Sequence, residues 1–130
     1  MPVNLLWDDA EKSILRYQYE GKWTWEELHD AIVQAHAMAD AIQHRIDVIF
    51  DFTGSAGLPA KALSHAPSVA RELPTQTGLV VVVGGTFFST MLSIFNRVYP
   101  HFGSASRYKS AHTLDEAYAL IERSRASERT

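Results

Sequence analysis

Two short loops carry the carboxylate, hydroxyl and glycine residues that most resemble a ligand site. One loop covers residues 51–57 and the other residues 84–86, and each follows an apolar segment. If those segments are neighbouring parallel strands, both loops emerge at the carboxyl edge of the sheet, where open α/β sheets bind ligands and helix N-termini favour anions. The alternative is that the glycines only permit tight turns. The candidate ligand-binding residues are Asp51, Thr53, Ser55, Gly84, Gly85 and Thr86.

Other reactive residues lack the arrangement that catalysis needs. The chain has no cysteine, which excludes disulfides, thiolate metal sites and cysteine nucleophiles. Ser64 and His65 are adjacent, so their side chains diverge on a helix, and no Gly-x-Ser-x-Gly elbow occurs. Asp47 and Asp51 are four residues apart on one predicted strand, roughly 13 Å, which is too far for an acid–base pair. The sequence therefore favours a protein that is not an enzyme, with no catalytic residue assigned.

The chain's six histidines raise the question of a metal site. His36, Asp40 and His44 have the spacing that places three side chains on one face of a helix. The apolar stripe of that helix leaves this face outward, with nothing to enclose an ion. A metal site needs three or more converging ligands and a second shell. The sequence predicts neither a metal nor a cofactor.

Apolar periodicity predicts five strands and four helices in the order ββαβαβαβα. Capping boxes open the first helix at Thr24 and the last at Thr113. We expect the first helix to end near His44, and Pro67 to kink or split the second. The strands cover residues 5–7, 13–19, 46–52, 79–83 and 106–110, and the second and third helices cover about residues 59–73 and 87–99.

This element order predicts an α/β fold with one five-stranded mixed sheet, mostly parallel, in strand order 1-2-3-4-5. Helical crossovers between the later strands make those strands parallel and the connections right-handed. Asp47 and Asp51 share one face of the third strand, so we expect that face to stay open and the helices to lie mainly on the other. The length of 130 residues fits a single domain, 1–130, with residues 124–130 as a frayed tail.

The third predicted helix is apolar around most of its circumference. A helix on one sheet face needs an apolar arc of about 100° or somewhat more, and this one exceeds it. The surplus predicts a pocket or a partner surface, and we expect a homodimer. The interface or pocket candidates are Phe87, Phe88, Met91, Phe95 and Tyr99.

Composition argues against nucleic acid and against a membrane span. The net charge of −3 and the lack of a basic cluster argue against nucleic acid as a partner. No apolar run approaches the length of about 18 residues that a membrane span needs. The N-terminal segment does not resemble a signal peptide. We expect a cytoplasmic protein of bacterial type.

Element order and three local patterns resemble the STAS/SpoIIAA-like family, whose reference members are anti-sigma-factor antagonists. The patterns are Gly21-Lys22-Trp23-Thr24, residues 48–53 (Val-Ile-Phe-Asp-Phe-Thr) and residues 113–117 (Thr-Leu-Asp-Glu-Ala). Phosphoswitch members carry Asp-Ser-Ser-Gly after the third strand. Here Ala56 occupies the phosphorylated position, so a surviving switch would need Ser55 or Thr53.

The sequence resembles more closely those SpoIIAA-like proteins that are sometimes grouped with lipid-binding Sec14-type domains. The resemblance implies a non-catalytic binding or regulatory module that acts through protein contact or through a pocket for a small apolar or anionic ligand. The alternative is a small enzyme that acts on an anionic small molecule through the loop after the third strand.

Overall fold

The computed structural model describes residues 2–98 and 107–129. Among these residues the strands and helices alternate in nearly the predicted positions. In chain order they are β1 (Val3–Trp7), β2 (Ile14–Gly21), α1 (Trp25–Ala39), β3 (Ile46–Ser55), α2 (Ala62–Glu72), β4 (Thr77–Val83), α3 (Thr86–Val98), β5 (Tyr108–Ala111) and α4 (Leu114–Arg129). Predicted positions Tyr99 and Ser106, at the ends of α3 and β5, lie outside the described residues.

The sheet has the predicted strand order β1-β2-β3-β4-β5. Strands β1 and β2 are antiparallel, whereas each later strand pairs in parallel with its predecessor. The α/β fold and the mostly parallel sheet are confirmed. The cause is local, because a helix joins each pair of consecutive strands from β2 onward and a right-handed crossover then brings the strands side by side.

Helices cover both faces of this sheet. Helices α1, α2 and α3 pack on the face that carries Tyr17, Phe50 and Val82, which we call the three-helix face. Helix α4 packs on the opposite face through Ala117 and Ile121, and we call this the α4 face. The helices are therefore mainly on one face, as predicted. Helix α4 follows the last strand and does not connect two strands. The right-handedness of crossover connections therefore does not decide which face of the sheet it covers.

The expectation that Asp47 and Asp51 mark an open face is wrong. Both lie on the α4 face and are buried, with 0% and 2% of their surfaces exposed. Asp47 accepts hydrogen bonds from Arg45 Nε at 2.7 Å, Arg125 Nε at 2.8 Å and the Leu79 amide at 2.8 Å. A buried carboxylate is tolerated when it is paired in this way.

Helix α1 begins at the predicted capping box but ends at Ala39, several residues before His44. The Thr24 hydroxyl accepts from the Glu27 amide, and the Glu27 carboxylate accepts from the Thr24 amide. At the other end, the Gln76 side chain donates to the carbonyl oxygens of Ala39 and Ile42, both at 3.0 Å. A distant side chain thus satisfies the last carbonyls, and the chain can leave the helix early.

Two further helices depart from their predicted bounds. Pro67 neither splits nor ends α2, which runs through it to Glu72. Helix α4 continues to Arg129, so residues 124–129 are helical where the sequence predicted a frayed tail. The reason is tertiary, because Arg125 is held by Asp47 and by the Ser13 carbonyl. No helix in the described part of the chain is long and apolar enough to cross a membrane.

Candidate functional site

A cavity of about 140 Å³ lies between α2 and the three-helix face of the sheet. Its floor is formed by strand residues such as Phe50, Phe52 and Val82. The backbone of α2 approaches α1 and α3 more closely than it approaches the sheet, so α2 bridges its two neighbours above this floor. The walls come from the start of α1, from α3 and from β5.

Small side chains on α2 leave this space open. Ala62, Ala66 and Ala70 recur at four-residue intervals, which places them on one face of the helix, and all three line the cavity. Leu63 and Val69 of α2 also line the cavity, and longer side chains at the alanine positions would take up part of its volume.

Aromatic rings on the floor are fixed by stacking on one another. Phe52 stacks between Tyr19, with ring centroids 4.3 Å apart, and Phe88, with centroids 4.5 Å apart. Tyr19 also packs against Trp23, which is buried. Because neighbouring rings hold each other in place, the floor is a preformed surface rather than a collapsible one.

The polar atoms of the two indole rings at the cavity are already bonded. Trp23 Nε1 donates to Ser55 Oγ at 3.0 Å, and Trp25 Nε1 donates to the carbonyl oxygen of Ala60 at 2.8 Å. Ser55 Oγ in turn donates to the Gly57 carbonyl at 2.6 Å. Both tryptophans therefore present carbon surface to the cavity, and the lining is suited to an apolar guest.

The predicted ligand-binding residues lie outside this cavity. Asp51 points to the α4 face, where its carboxylate accepts from the amide and hydroxyl of Thr53 and lies 3.6 Å from Arg16. Thr53 is exposed, and Ser55 holds Trp23 and the Gly57 carbonyl. The hydrogen bonds of Asp51 and Ser55 are made within the protein, around the end of β3.

The turn after β4 has a packing role that the sequence did not reveal. The amide of Gly84 donates to the Ala111 carbonyl at 3.2 Å. A Cβ at Gly84 would lie 2.7 Å from the Phe88 ring, so the glycine lets that ring stack on Phe52. Gly85 and Thr86 are exposed at the start of α3. The two loops do follow neighbouring strands, as predicted.

The pocket candidates on α3 divide into two groups. Phe88, Met91 and Phe95 line the cavity, and Phe95 is buried with its ring 5.7 Å from that of Tyr108. Phe87 is 54% exposed, and Tyr99 lies outside the described residues. Of the two alternatives for these residues, pocket or partner surface, Phe88, Met91 and Phe95 lie at the pocket.

A charged cluster lies on the α4 face, separate from the cavity. Arg16 lies 3.3 Å from Asp8 and 3.6 Å from Asp51. Tyr118 donates to Asp8 at 2.9 Å. Burial and this hydrogen bond raise the pKa of Tyr118 to about 12, so the phenol stays protonated and keeps donating. In this cluster the charge of Arg16 on β2 is compensated by Asp51 on β3 and by Asp8 just after β1.

The histidines of α1 do not form the predicted face. Helix α1 ends at Ala39, so Asp40 and His44 lie beyond it. His29 Nδ1 lies 2.6 Å from Glu72 Oε2, and His36 Nε2 lies 2.5 Å from the Glu72 carbonyl oxygen. Within residues 2–98 and 107–129, no three His, Asp or Glu side chains converge as metal ligands would. These histidines connect α1 to α2 instead.

The wall contributed by α2, and the tryptophans opposite it, were not identified from the sequence. The available signal was the alanine repeat on α2, together with Trp23 and Trp25 on either side of the Thr24 cap. Alanines at helical spacing also occur in tightly packed helices. Whether they leave a cavity depends on what lies opposite, which the local sequence does not encode.

Comparisons with protein-family models, with curated proteins and with solved structures find no match for this chain. What the chain does is therefore inferred from the cavity and from the surfaces around it.

Proposed function

We propose that this chain is a cytoplasmic, non-catalytic binding module of the STAS/SpoIIAA-like type that holds a small apolar molecule beneath α2. The observation that carries the proposal is the cavity of about 140 Å³, walled by aromatic rings and by the alanine face of α2. A cavity of about 150 Å³ lined by apolar side chains is large enough to accept a guest such as benzene. A lining that is almost wholly apolar selects for an apolar ligand.

The expected affinity for a minimal guest is weak. Burying one aromatic ring removes about 150 Å² from water, which contributes about 4 kcal/mol at about 25 cal/mol per Å². That free energy corresponds to a Kd of about 1 mM. A larger natural ligand that extends along the floor would bind more tightly.

Asp51 and Ser55 support a binding module rather than an enzyme acting through the loop after β3. Asp51 is buried on the far side of the sheet from the cavity, and Ser55 Oγ is engaged by Trp23 and the Gly57 carbonyl. A nucleophile or general base needs a reacting group within hydrogen-bond reach. Neither side chain faces the space under α2.

The test is binding of toluene, compared between two variants with the same chemical change. Ala66→Leu fills the cavity from α2, whereas Ala37→Leu places the same side chain on the exposed face of α1. At several millimolar toluene, we expect the wild-type and Ala37→Leu proteins to gain about 1 °C or more in Tm. Ala66→Leu should gain nothing.

Two results would contradict the proposal. One is a wild-type protein whose melting temperature and amide NMR spectrum do not respond to toluene. The other is a response that Ala66→Leu retains in full, which would place the guest elsewhere.

A second copy of this chain is the proposed protein partner. Phe87 and Val98 are 54% and 50% exposed and lie on one side of α3, about three turns apart. An isologous contact between the α3 helices of two copies would cover Phe87 and Val98 in both copies.

A further inference from the structure

We propose that the molecule held in the cavity is aromatic, and that the face of its electron-rich ring lies across the edges of three stacked rings of the floor. This inference rests on the proposed function, because it names the chemical class of the guest in the same cavity. The three rings are those of Tyr19, Phe52 and Phe88, which we call the ring stack.

Phe52 is the middle member of the ring stack, and both faces of its ring are covered. The Tyr19 ring is nearly parallel to it, at an angle of 15°, and the Phe88 ring at an angle of 10°. The centroids of both rings lie within 4.5 Å of the Phe52 centroid. Two rings that close would overlap each other on a single face, so they lie on opposite faces. The strand order agrees, because Tyr19 is on β2 and Phe88 follows β4, on either side of β3.

The ring stack therefore presents the edge of its middle ring to the cavity. All three rings line the cavity, and a ring covered on both faces has only its edge left to contact a guest. The position of the Phe88 ring depends on Gly84, where a Cβ would lie 2.7 Å from it. The order of faces and edges is thus part of the packed structure before any guest arrives.

Ring edges and ring faces differ in electrostatic sign. The face of an aromatic ring is negative and its edge is positive, so two rings favour an edge-to-face contact over a direct sandwich. The core already contains such a contact, between Tyr17 and Phe50 at 69° with centroids 5.0 Å apart. A guest ring laid over the edge of Phe52 makes the same contact. A saturated hydrocarbon of equal size fills the space without this attraction.

The opposite wall suits the second face of the same guest. Helix α2 contributes aliphatic side chains there, among them Ala66, Val69 and Ala70. No charged residue is among the described residues that line the cavity. The ring edges are therefore the feature that distinguishes an aromatic guest from a saturated one.

The test compares two guests of similar volume that differ in ring charge. Toluene has negative ring faces, whereas the ring quadrupole of 1,3,5-trifluorobenzene is close to zero. Amide NMR titration gives the Kd of each guest, and the quantity compared between proteins is the Kd of trifluorobenzene divided by the Kd of toluene. The difference in hydrophobicity between the guests is the same for every protein, so it cancels in this comparison.

Two variants with the same chemical change separate the ring stack from the rest of the lining. Phe88→Leu removes one ring from the stack, whereas Phe95→Leu removes a lining ring that packs on Tyr108 instead. We expect the Kd ratio to fall about threefold in Phe88→Leu, the size of one edge-to-face contact. In Phe95→Leu it should stay within a factor of about 1.5 of wild type.

A second measurement on the wild-type protein reports the geometry without any substitution. Protons above the face of an aromatic ring are shielded by its ring current, whereas protons in its plane are deshielded. We expect the ring protons of Phe52 to move upfield as toluene saturates the cavity. This shift decides the question if a variant does not fold.

The outcomes separate this inference from the proposed function. A wild-type protein that does not bind toluene contradicts the proposed function itself. If toluene binds but the Kd ratio changes equally in both variants, or in neither, the cavity remains a binding site and its selection of an aromatic ring by the ring stack is wrong. The same conclusion follows if the Phe52 protons stay in place or move downfield. A ratio that falls in Phe88→Leu alone, together with the upfield shift, supports the aromatic guest.

Discussion

Asp47 is a buried carboxylate whose hydrogen bonds connect several elements of the fold. Its two oxygens receive Arg45 and Arg125 from opposite sides, while the Leu79 amide donates to the first oxygen. The residue thereby joins β3 to β4 and to α4. Read from the sequence, an aspartate in the middle of an apolar strand suggested solvent. The structure shows that it is instead the buried centre of an ion-pair network.

We predict that Asp47→Ala lowers the free energy of unfolding by about 3 kcal/mol or more. Removing one partner of a buried ion pair leaves the other charges uncompensated, which typically costs about 3–5 kcal/mol. Both arginines retain some contact with water, with 25% and 20% of their side chains exposed, so the lower end applies. Urea unfolding followed by circular dichroism measures the change.

Asp30→Ala is the matched control for this substitution. Asp30 is exposed on α1, and we expect a change within about 0.5 kcal/mol there. The double variant Asp47→Ala/Arg125→Met should be no less stable than Asp47→Ala alone, because the apolar side chain removes an unpaired charge. An Asp47→Ala protein as stable as wild type would show that the ion-pair network does not contribute to the free energy of unfolding.

At the scale of elements, α4 depends on its last turns. Arg125 binds Asp47 and donates to the Ser13 carbonyl at 3.0 Å, and the hydroxyl of Ser124 accepts from Arg45 at 3.0 Å. These contacts lie in the stretch that the sequence predicted to fray. Charged and small side chains at the end of a helix give no local sign that a strand far away in sequence will bind them.

We predict that truncation after Arg123 lowers the free energy of unfolding by about 3 kcal/mol, because it removes Arg125 from buried Asp47. Truncation after Ser127 keeps Ser124 and Arg125 and should change stability by less than about 1 kcal/mol. Denaturant unfolding of the two truncated proteins gives the comparison. Equal stability of both with the full chain would support the frayed tail instead.

At the scale of the whole molecule, the third helix has two sides with different partners. Phe88 and Phe95 face inward, the first to the cavity floor and the second to Tyr108. Phe87 and Val98 face outward on one side of α3, about three turns apart, whereas Met91 between them in sequence lines the cavity. The inner side explains the cavity, and the outer side is the surface proposed for a second copy.

We predict that the wild-type chain scatters light with about twice the mass of 14.6 kDa, and that Phe87→Glu converts it to monomer. A charge at an exposed interface position costs association but not folding, so the far-UV spectrum should not change. Ser93→Glu, at an exposed position about 120° around α3 from Phe87, should remain dimeric.

Phe95→Glu provides the contrast that identifies the two sides of α3. Its side chain is 7% exposed, so we expect this variant to unfold rather than to dissociate. A monomeric wild-type protein at high micromolar concentration would contradict the dimer and would leave the cavity proposal unaffected.

The sequence by itself determined the element order, the strand order and the parallel pairing of β2 to β5. It also determined the start of α1, where Thr24 and Glu27 cap each other within one turn. These features depend on the period of apolar residues, on caps and on connection lengths, all of which are encoded within a few residues.

Only the tertiary structure decided where α1 ends, which face α4 covers and that a cavity exists under α2. Each of these depends on groups far apart in the chain. The Gln76 side chain donates hydrogen bonds to the carbonyl oxygens at the end of α1, and Arg125 donates to Asp47, 78 positions earlier in the chain. The alanines of α2 face stacked rings from β2, β3 and α3. The local sequence pattern indicates which residues are buried. Which groups bury them depends on how the elements pack together.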